Sequence, residues 1–510
     1  MSAVILPAKY TIVMSIFMSK IKYLAASLLG FISFVSSFAQ LSLPAVFSNN
    51  MVLQRDKPVS IWGKATAGEN VIVSFGKQQK NTVASTDGKW QVQLDAMPAN
   101  ANPSTLTVKG TNTIELTNIL VGDVWLCSGQ SNMEYPLDRK TKKYAAPKKG
   151  VDSAAEELSA TKPDGIRYLY VEKNLKKDDL PTNGWVNGND TNIRFISAIG
   201  YFFAKEIFAK TNVPIGLISS SWGGTRVEQW TPDWAYSQSP IFKDSATTPK
   251  FKIDGMHPGQ MFDKMMLPMM PYTIKGMLWY QGESNCMVED QATYPAKMEL
   301  MMNTWRDLFH DKKIPFYFVQ IAPYKYTSRL KDAKPHTVES LPLTWEAQTK
   351  NLSIPYTAMV VTTDLVDDLS NIHPSYKWTV AHRLALCALA KDYKQKIVYS
   401  GPAYQSMKIK KNTIELSFNN VGSGLVSSDD QPLTWFTIAG ADNQFVPAKA
   451  TIKGDKVIVE AESVAKPTQV RFAWDESAQP NLFNKEGLPA LPFRTSTNAT
   501  IQEELNHKVH

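Results

Sequence analysis

The residue in this chain best suited to catalysis is a serine, Ser131, that directly follows an expected strand. Ser131 lies within the stretch 125–133, WLCSGQSNM, directly after an apolar run at residues 120–126 that predicts a buried strand. Reacting groups collect at the carboxyl ends of strands in an α/β sheet, because the loops that leave them line a crevice. Considered alone, Ser131 is more often the cap of the next helix, since a serine there satisfies free backbone amides.

Three more stretches, each directly after an expected strand, favour catalysis over capping. They are residues 219–226 (SSSWGGTR), 281–285 (QGESN) and 364–374, the last of which contains His373. A serine hydroxyl is a weak nucleophile until a neutral imidazole accepts its proton. A serine in the first loop and a histidine in the last loop of an α/β core suit this chemistry. We therefore predict that Ser131 is the nucleophile and His373 its general base.

Attack of a serine on an acyl carbon also needs hydrogen-bond donors aimed at the oxygen that becomes negative. Gly223 is the first of two successive glycines after an expected strand, and a glycine lets its backbone amide come close to reacting atoms. The side-chain amides of Gln281 and Asn285 are also placed to donate, and the sequence leaves open which of them does so. These three residues are the predicted oxyanion hole.

Composition excludes several classes of function. The 510 residues are 43% hydrophobic and 20% charged, as in a soluble protein of several domains. The formal charge of +8 is spread along the chain, so we expect no nucleic-acid partner. No cysteines and histidines have metal-ligand spacing, and we expect neither a metal nor a cofactor. Cys127, Cys286 and Cys387 are expected to be mostly buried free thiols, although a bridge between the first two stays open.

The amino-terminal stretch is typical of a secretory signal peptide at residues 1–39. Lys20 and Lys22 precede an apolar run at residues 23–38, and small residues follow at the expected cleavage position. The run is shorter than the ~20 residues that span a membrane. We expect a mature protein that begins near Gln40, is exported to the periplasm or the exterior, and has no membrane contact after cleavage.

The remaining chain changes pattern twice. Residues 40–119 show short alternating runs with turn signals between them, which predict an N-terminal β-sandwich or jelly-roll region. Residues 120–393 alternate strand, loop and helix, which predicts an α/β core with a parallel sheet. Residues 394–497 return to the alternating β pattern, and 498–510 are an expected tail. A lysine-rich stretch at 138–177 predicts a surface excursion, which would attract an acidic substrate if it bordered the site.

The predicted elements have definite positions within the core. Expected strands lie at 121–126, 215–219, 275–280, 316–320 and 357–362, and expected helices at 198–210, 294–309 and 377–392.

The motifs together resemble the sialate O-acetylesterase family of carbohydrate esterases, which has the SGNH hydrolase fold. The resemblance is carried by residues 122–133, 221–230, 279–285 and 372–374, and flanking matches extend it over nearly the whole mature chain. It implies a flavodoxin-like three-layer core and a serine esterase that removes O-acetyl groups from sialic acid. It also implies that the Ser131 amide and Gly223 belong to the oxyanion hole.

The sequence departs from that family at the third triad position. Relatives carry an aspartate two or three residues before the histidine, where this chain has Asn371 and Ser370. A carboxylate elsewhere could orient His373, or a backbone carbonyl could do so in a Ser-His dyad, which we favour. The candidate carboxylates are Asp364, Asp367, Asp368 and Glu283.

Other substrates and one other class of function stay open. Related motifs occur in esterases that act on acetylated xylan or other polysaccharides. A carbohydrate-binding protein with an inert core is the alternative outside enzymes, and intact Ser131 and His373 count against it. Arg226 and Arg139 could pair with the carboxylate of a sialate substrate, and Arg226 is equally suited to bracing its loop.

Overall fold

The computed structural model describes residues 40–160 and 162–496. The expected signal peptide at 1–39 and the expected tail at 498–510 lie outside the described residues. Within the described part of the chain, no helix is both long enough and apolar enough to cross a membrane.

Six short strands form the N-terminal β region. They are β1 (Val52–Gln54), β2 (Val59–Lys64), β3 (Asn70–Phe75), β4 (Gln78–Val83), β5 (Lys89–Leu94) and β6 (Asn100–Lys109). β2 pairs with β5, and β3 pairs with β4 and β6, all antiparallel. Every second side chain of β5 is buried, which is the alternation that predicted strands here.

The strand β7 (Thr113–Gly129) connects this region to the central sheet. Its first half pairs antiparallel with β6, and its second half pairs parallel with a strand on either side. Residues 119–129 are all buried, because both faces of this half are covered and an alternating pattern is not needed. The boundary expected between residues 119 and 120 thus lies inside one continuous strand.

The central sheet is mostly parallel. Its other strands are β8 (Ile166–Tyr170), β9 (Trp185–Asn187), β10 (Ile215–Ser221), β11 (Gly276–Tyr280), β12 (Phe316–Val319) and β13 (Thr357–Val360). They lie in the order β13-β12-β11-β7-β10-β8-β9, and only the β8–β9 pair in this path is antiparallel. The α/β prediction and its five core strands are confirmed.

One part of the predicted surface excursion is wrong. β8 lies within the stretch 138–177, yet four of its five residues are buried against β10. The abundance of lysines around it hid a short aromatic and aliphatic run, IRYLY, that forms an inner strand.

Helices cover both faces of the central sheet. The α-helices of the described residues are α1 (Ser131–Glu134), α2 (Ser153–Ser159), α3 (Ala198–Thr211), α4 (Asp233–Gln238), α5 (Phe262–Met265), α6 (Glu283–Cys286), α7 (Tyr294–Leu308), α8 (Ser340–Lys350) and α9 (Lys377–Lys391). Trp125 and Cys127 of β7 pack into the core shared with α3 and α9, whereas Val124 and Leu126 pack into the core shared with α7. The three predicted long helices are therefore present, and they hold the sheet between them.

Antiparallel strands with a hydrophobic core of their own follow the α/β part. They are β14 (Ala403–Lys410), β15 (Thr413–Asn419), β16 (Leu425–Ser427), β17 (Phe436–Ala439), β18 (Val446–Pro447), β19 (Lys449–Lys453), β20 (Lys456–Glu460), β21 (Gln469–Phe472), β22 (Leu482–Asn484) and β23 (Phe493–Arg494). Cys127, Cys286 and Cys387 are buried and free, which confirms the expected thiols and leaves no bridge between the first two.

Candidate active site

Ser131 lies where the central strand β7 ends and a short helix begins. Gly129 has φ +136°, and a Cβ there would lie 2.2 Å from the Tyr280 carbonyl oxygen, so this close approach requires glycine. The N-cap of α1 is Gln130, and Ser131 is the first helical residue. Because the cap position belongs to its neighbour, the Ser131 side chain is not used as the helix cap.

The loops after β10 and β11 flank the Ser131 loop. Ser221 and Tyr280, at the ends of these strands, are both in register with Gly129. A Cβ on Gly223 would lie 3.1 Å from the Ser131 Cβ, so this backbone passes directly beside the serine. The parallel order of the sheet thus brings the predicted nucleophile and one predicted oxyanion donor together.

The His373 loop reaches the same place through a hydrogen bond to the residue after the serine. Asn132 Nδ2 donates to the Ile372 carbonyl oxygen at 3.0 Å. The half-buried His373 ring lies against Tyr144, with 4.7 Å between ring centroids. Burial, and after it the charge of Lys377, lowers the pKa of His373 to about 4. Its imidazole is therefore neutral at pH 7, which is the form that accepts a proton.

The four candidate carboxylates all bind other groups. Asp364 makes a bidentate pair with Arg383 at 2.8 and 2.6 Å. Asp367 accepts from the Tyr376 hydroxyl, and Asp368 from Ser370. Glu283 accepts from Asn132. In residues 40–160 and 162–496, neither a carboxylate nor a backbone carbonyl hydrogen-bonds the His373 ring, so the group that orients the imidazole stays a prediction.

The Gly223 amide, predicted to hold the oxyanion, donates here to a carboxylate of the chain itself. Its N–H points to Glu134 Oε2 at 2.5 Å. The other oxygen of Glu134 contacts the ammonium groups of Lys142 and Lys173. Sequence reasoning missed Glu134, although its position three residues after Ser131 in one helix predicts a side chain on the same face.

Gln281 and Asn285 have no amide hydrogen to spare. Gln281 Nε2 lies 2.7 Å from Asn285 Oδ1 and 3.2 Å from the Thr225 carbonyl oxygen. Asn285 Nδ2 donates to Glu228 and Asp290. Both side chains are almost fully buried, so donating to an oxyanion would break buried hydrogen bonds. This arrangement corrects the prediction that one of them completes the oxyanion hole; they position the loop instead.

The guanidinium groups of Arg226 and Arg139 are also paired with carboxylates of the protein itself. Arg226 pairs with Glu228 and donates to the Asp254 carbonyl oxygen at 2.9 Å, with only 6% of the residue exposed. Arg139 pairs with Asp152 at 2.8 Å. The prediction that Arg226 binds substrate is therefore corrected to the bracing alternative, because its guanidinium is buried against a carboxylate.

A second group of charged side chains contacts Arg226, and we call it the Lys297 cluster (Glu228, Asp254, Asp290 and Lys297). Glu228, Asp254 and Asp290 are the one group in the described chain with metal-like spacing of ligand atoms. Lys297 Nζ lies between them, at 2.8, 2.6 and 2.7 Å respectively. An ammonium group therefore fills the place that a cation would take, and the cluster is an internal ion-pair network.

A third polar group joins the serine and histidine loops, and we call it the Asn132 network (Asn132, Glu283 and Lys377). Asn132 donates to Glu283 and accepts from Lys377 Nζ at 2.7 Å. Lys377 also lies over the ring of Tyr135, 4.8 Å from its centroid. Burial lowers the pKa of Lys377 to about 7 and raises the pKa of Glu283. Nothing in the motif spacing singled out Lys377, although it follows His373 by four residues.

Comparisons with known proteins place the chain among carbohydrate esterases. The sequence profile of the family described as "Carbohydrate esterase, sialic acid-specific acetylesterase" matches residues 121–389. Sialate O-acetylesterase of Homo sapiens is 28% identical, with 88% of this chain and 91% of the relative covered. The Mus musculus enzyme is 29% identical over 71% of this chain and 75% of its own.

A solved structure extends the agreement to the fold. The crystal structure of a carbohydrate acetylesterase from Xanthomonas citri superposes with a TM-score of 0.79 and 33% identity. The match covers 90% of this chain and 100% of that chain. The resemblance found in the motifs is thereby confirmed: the chain belongs to the family of sialic acid-specific acetylesterases among the carbohydrate esterases, and it is a carboxylic ester hydrolase.

Proposed function

We propose that the chain is a serine esterase that removes the O-acetyl group from 9-O-acetyl sialic acid through an acetyl-Ser131 intermediate. One observation carries the mechanism. Ser131, which is not used as a cap, lies beside the Gly223 backbone, and the loop of a neutral His373 is hydrogen-bonded to the next residue, Asn132. Family membership and the names of the mammalian relatives support the substrate class.

The reaction follows from these positions. His373 accepts the Ser131 proton while Oγ attacks the acetyl carbonyl carbon, and the amides of Ser131 and Gly223 stabilise the resulting oxyanion. The intermediate collapses, the C–O bond to the sugar breaks, and His373 returns the proton to the sugar hydroxyl. Water, deprotonated by His373, then attacks the carbonyl carbon of acetyl-Ser131. The bond from this carbon to Oγ breaks, His373 returns the proton to Oγ, and acetic acid leaves, ionised to acetate at neutral pH. Glu134 must release the Gly223 amide before the oxyanion forms.

Acetate release from two substrates tests this proposal. We expect wild-type protein to release acetate from 9-O-acetyl sialic acid faster than from acetylated xylan, and Ser131→Ala to lose this activity. Ser128→Ala is the matched control, because Ser128 is buried in the preceding strand and its hydroxyl makes no hydrogen bond to any described residue. A preference for xylan would favour the polysaccharide esterase, and equal background release from both proteins would favour a carbohydrate-binding protein.

The finer architecture and the location belong to the same proposal. We infer a flavodoxin-like three-layer core flanked by β-sandwich regions at 40–119 and 394–497. The antiparallel pairs of β2 with β5 and of β3 with β4 and β6 support the first region, and separate antiparallel sheets with a core of their own support the second. We also infer export, with cleavage after residue 39. Amino-terminal sequencing of the protein from the periplasm or medium should give Gln40 first, and an uncleaved amino terminus would refute export.

A further inference from the structure

We propose that Lys142 and Lys173 form a carboxylate-binding subsite beside Ser131, which Glu134 fills in the free enzyme and which takes the carboxylate of an acidic sugar during catalysis. The inference rests on the proposed function and names the residues that would select an anionic substrate.

The two lysines already hold a carboxylate in the structure. Both ammonium groups contact Glu134 Oε1, and Oε2 accepts the Gly223 N–H at 2.5 Å. Only 5% of Glu134 is exposed. Two ammonium groups around one carboxylate make a charge-assisted receptor for that group, and the Gly223 amide becomes available to the oxyanion when Glu134 leaves. The receptor lies beside the nucleophile, because Gly223 is next to Ser131.

Both lysines can also be reached from outside. Their side chains are 38% and 29% exposed, in contrast to the buried Glu134 between them. Each ammonium carries three donor hydrogens, so a contact to Glu134 leaves donors for a second carboxylate. Lys173 additionally lies 5.6 Å from the ring centroid of Trp222, the residue before Gly223.

Charge favours an anion at this place. Two ammonium groups and one carboxylate leave one positive charge beside Ser131. The arginines expected to bind an acidic substrate do not compete for this role, since Arg226 is paired with Glu228 and Arg139 with Asp152. The lysine-rich stretch 138–177 therefore borders the site through Lys142 near its start and Lys173 near its end.

Glu134 is the natural competitor of such a substrate. Glu134→Gln keeps an oxygen that can accept the Gly223 N–H but removes the negative charge between the lysines. Freed ammonium groups should bind an anionic substrate more tightly, so this variant should have a lower KM for an acidic sugar. If the two lysines only stabilised Glu134, the Glu134→Gln variant would show no decrease in KM for an acidic sugar.

The test compares one sugar with and without its charge. The substrates are 9-O-acetyl N-acetylneuraminic acid and its C1 methyl ester, and acetate release is measured for each. We expect Lys142→Met and Lys173→Met to raise KM for the acid roughly tenfold, the value of one charge-assisted hydrogen bond, and to leave KM for the ester unchanged. Lys140→Met is the matched control, an exposed lysine of the same turn that should change neither KM.

The outcomes separate the two proposals. Equal rises in KM on both substrates, or no rise on either, would overturn the subsite while leaving the esterase intact. A higher KM for the acid in Glu134→Gln would also overturn it. If wild-type protein released acetate from neither sialate substrate but did so from acetylated xylan, the proposed function would be wrong and the inference would fall with it.

Discussion

Two fully buried lysines lie near the candidate active site in opposite electrostatic settings. Lys297 contacts three carboxylates, which raise its pKa above the usual value although burial opposes this. Lys377 contacts an amide oxygen and lies over aromatic rings, and burial lowers its pKa to about 7. The first lysine stays charged at all ordinary pH values, whereas the second can lose its proton near neutrality.

The difference separates a supporting cluster from a functional one. In the Lys297 cluster the ammonium group offsets the negative charge of the carboxylates. Its ion pairs connect the segments that carry Glu228 and Asp290 to helix α7. The Asn132 network is less well satisfied, since Glu283 Oε2 is buried without a hydrogen-bond partner among the described residues. It instead connects the helix of Ser131 to the loop of His373 through Asn132. Incompletely satisfied buried groups are typical of functional sites rather than of supporting cores.

The largest expected effect comes from removing the cation of the compensated cluster. Lys297→Met leaves Glu228 and Asp290 buried without an ammonium group, which should lower the free energy of unfolding by about 3–5 kcal/mol. Denaturant unfolding measures this loss. Lys312→Met, at a side chain that is 85% exposed, is the control and should change little. A loss below ~1 kcal/mol for Lys297→Met would mean that the cluster does not stabilise the fold.

Lys377→Met should destabilise less and change pH dependence instead. The variant leaves Asn132 Oδ1 without its donor, at about 1–3 kcal/mol. It also removes the positive charge that helps lower the pKa of His373, so the acidic limb of kcat/KM should move upward from about pH 4. A pH–rate profile measures this shift. An unchanged limb would show that Lys377 does not act on the histidine.

The same variant should flatten the dependence of stability on pH. Between pH 7 and 10.5 the unfolded chain keeps the Lys377 proton that the folded chain has lost. Because the unfolded state then binds more protons, wild-type stability rises with pH through this window. Lys377→Met should lose that part of the slope, whereas a slope equal to that of wild type would contradict the lowered pKa.

The sequence predicted which loops lie together better than which donors are free. The loops of Ser131, Gly223 and His373 lie together as predicted because each follows a strand, and parallel strands bring their carboxyl ends to one edge. The sequence predicts Gln281 and Asn285 in the oxyanion hole because both have side-chain amides and lie in a loop that follows a strand. Whether an amide hydrogen is free depends on partners far away in the chain, such as Glu228, and no local pattern carries that information.

Long-range pairing explains the other differences as well. Arg226 could not be told apart from a substrate ligand until its contacts with Glu228 and with the Asp254 carbonyl oxygen were known, and the second contact joins positions 28 residues apart. β8 was hidden because a five-residue buried strand between lysine-rich segments gives little periodic signal. Lys377 was missed because its importance comes from contacts with Asn132 and Tyr135, which lie more than two hundred residues earlier in the chain.

Glu283→Gln should have the smallest effect in this comparison. Burial raises the pKa of Glu283, so burial already disfavours the charge that the substitution removes, and glutamine keeps an oxygen for the Asn132 amide. We expect a loss in unfolding free energy below about 1 kcal/mol. Glu228→Gln is the matched variant in the Lys297 cluster and should cost clearly more, because Arg226 and Lys297 both lose a charged partner. Equal losses in the two unfolding experiments would remove the distinction between the clusters.

The central claim is that Ser131 is the nucleophile and His373 activates it. The most direct measurement treats the protein with an activated phosphonate ester, whose serine adduct water does not remove, and locates the adduct by peptide mass. We predict one equivalent on Ser131 with complete loss of acetate release, no such adduct in Ser131→Ala, and much slower labelling in His373→Ala with an unchanged unfolding curve. Inactivation with the adduct on another residue, or labelling of Ser131 at the same rate without His373, would contradict the account.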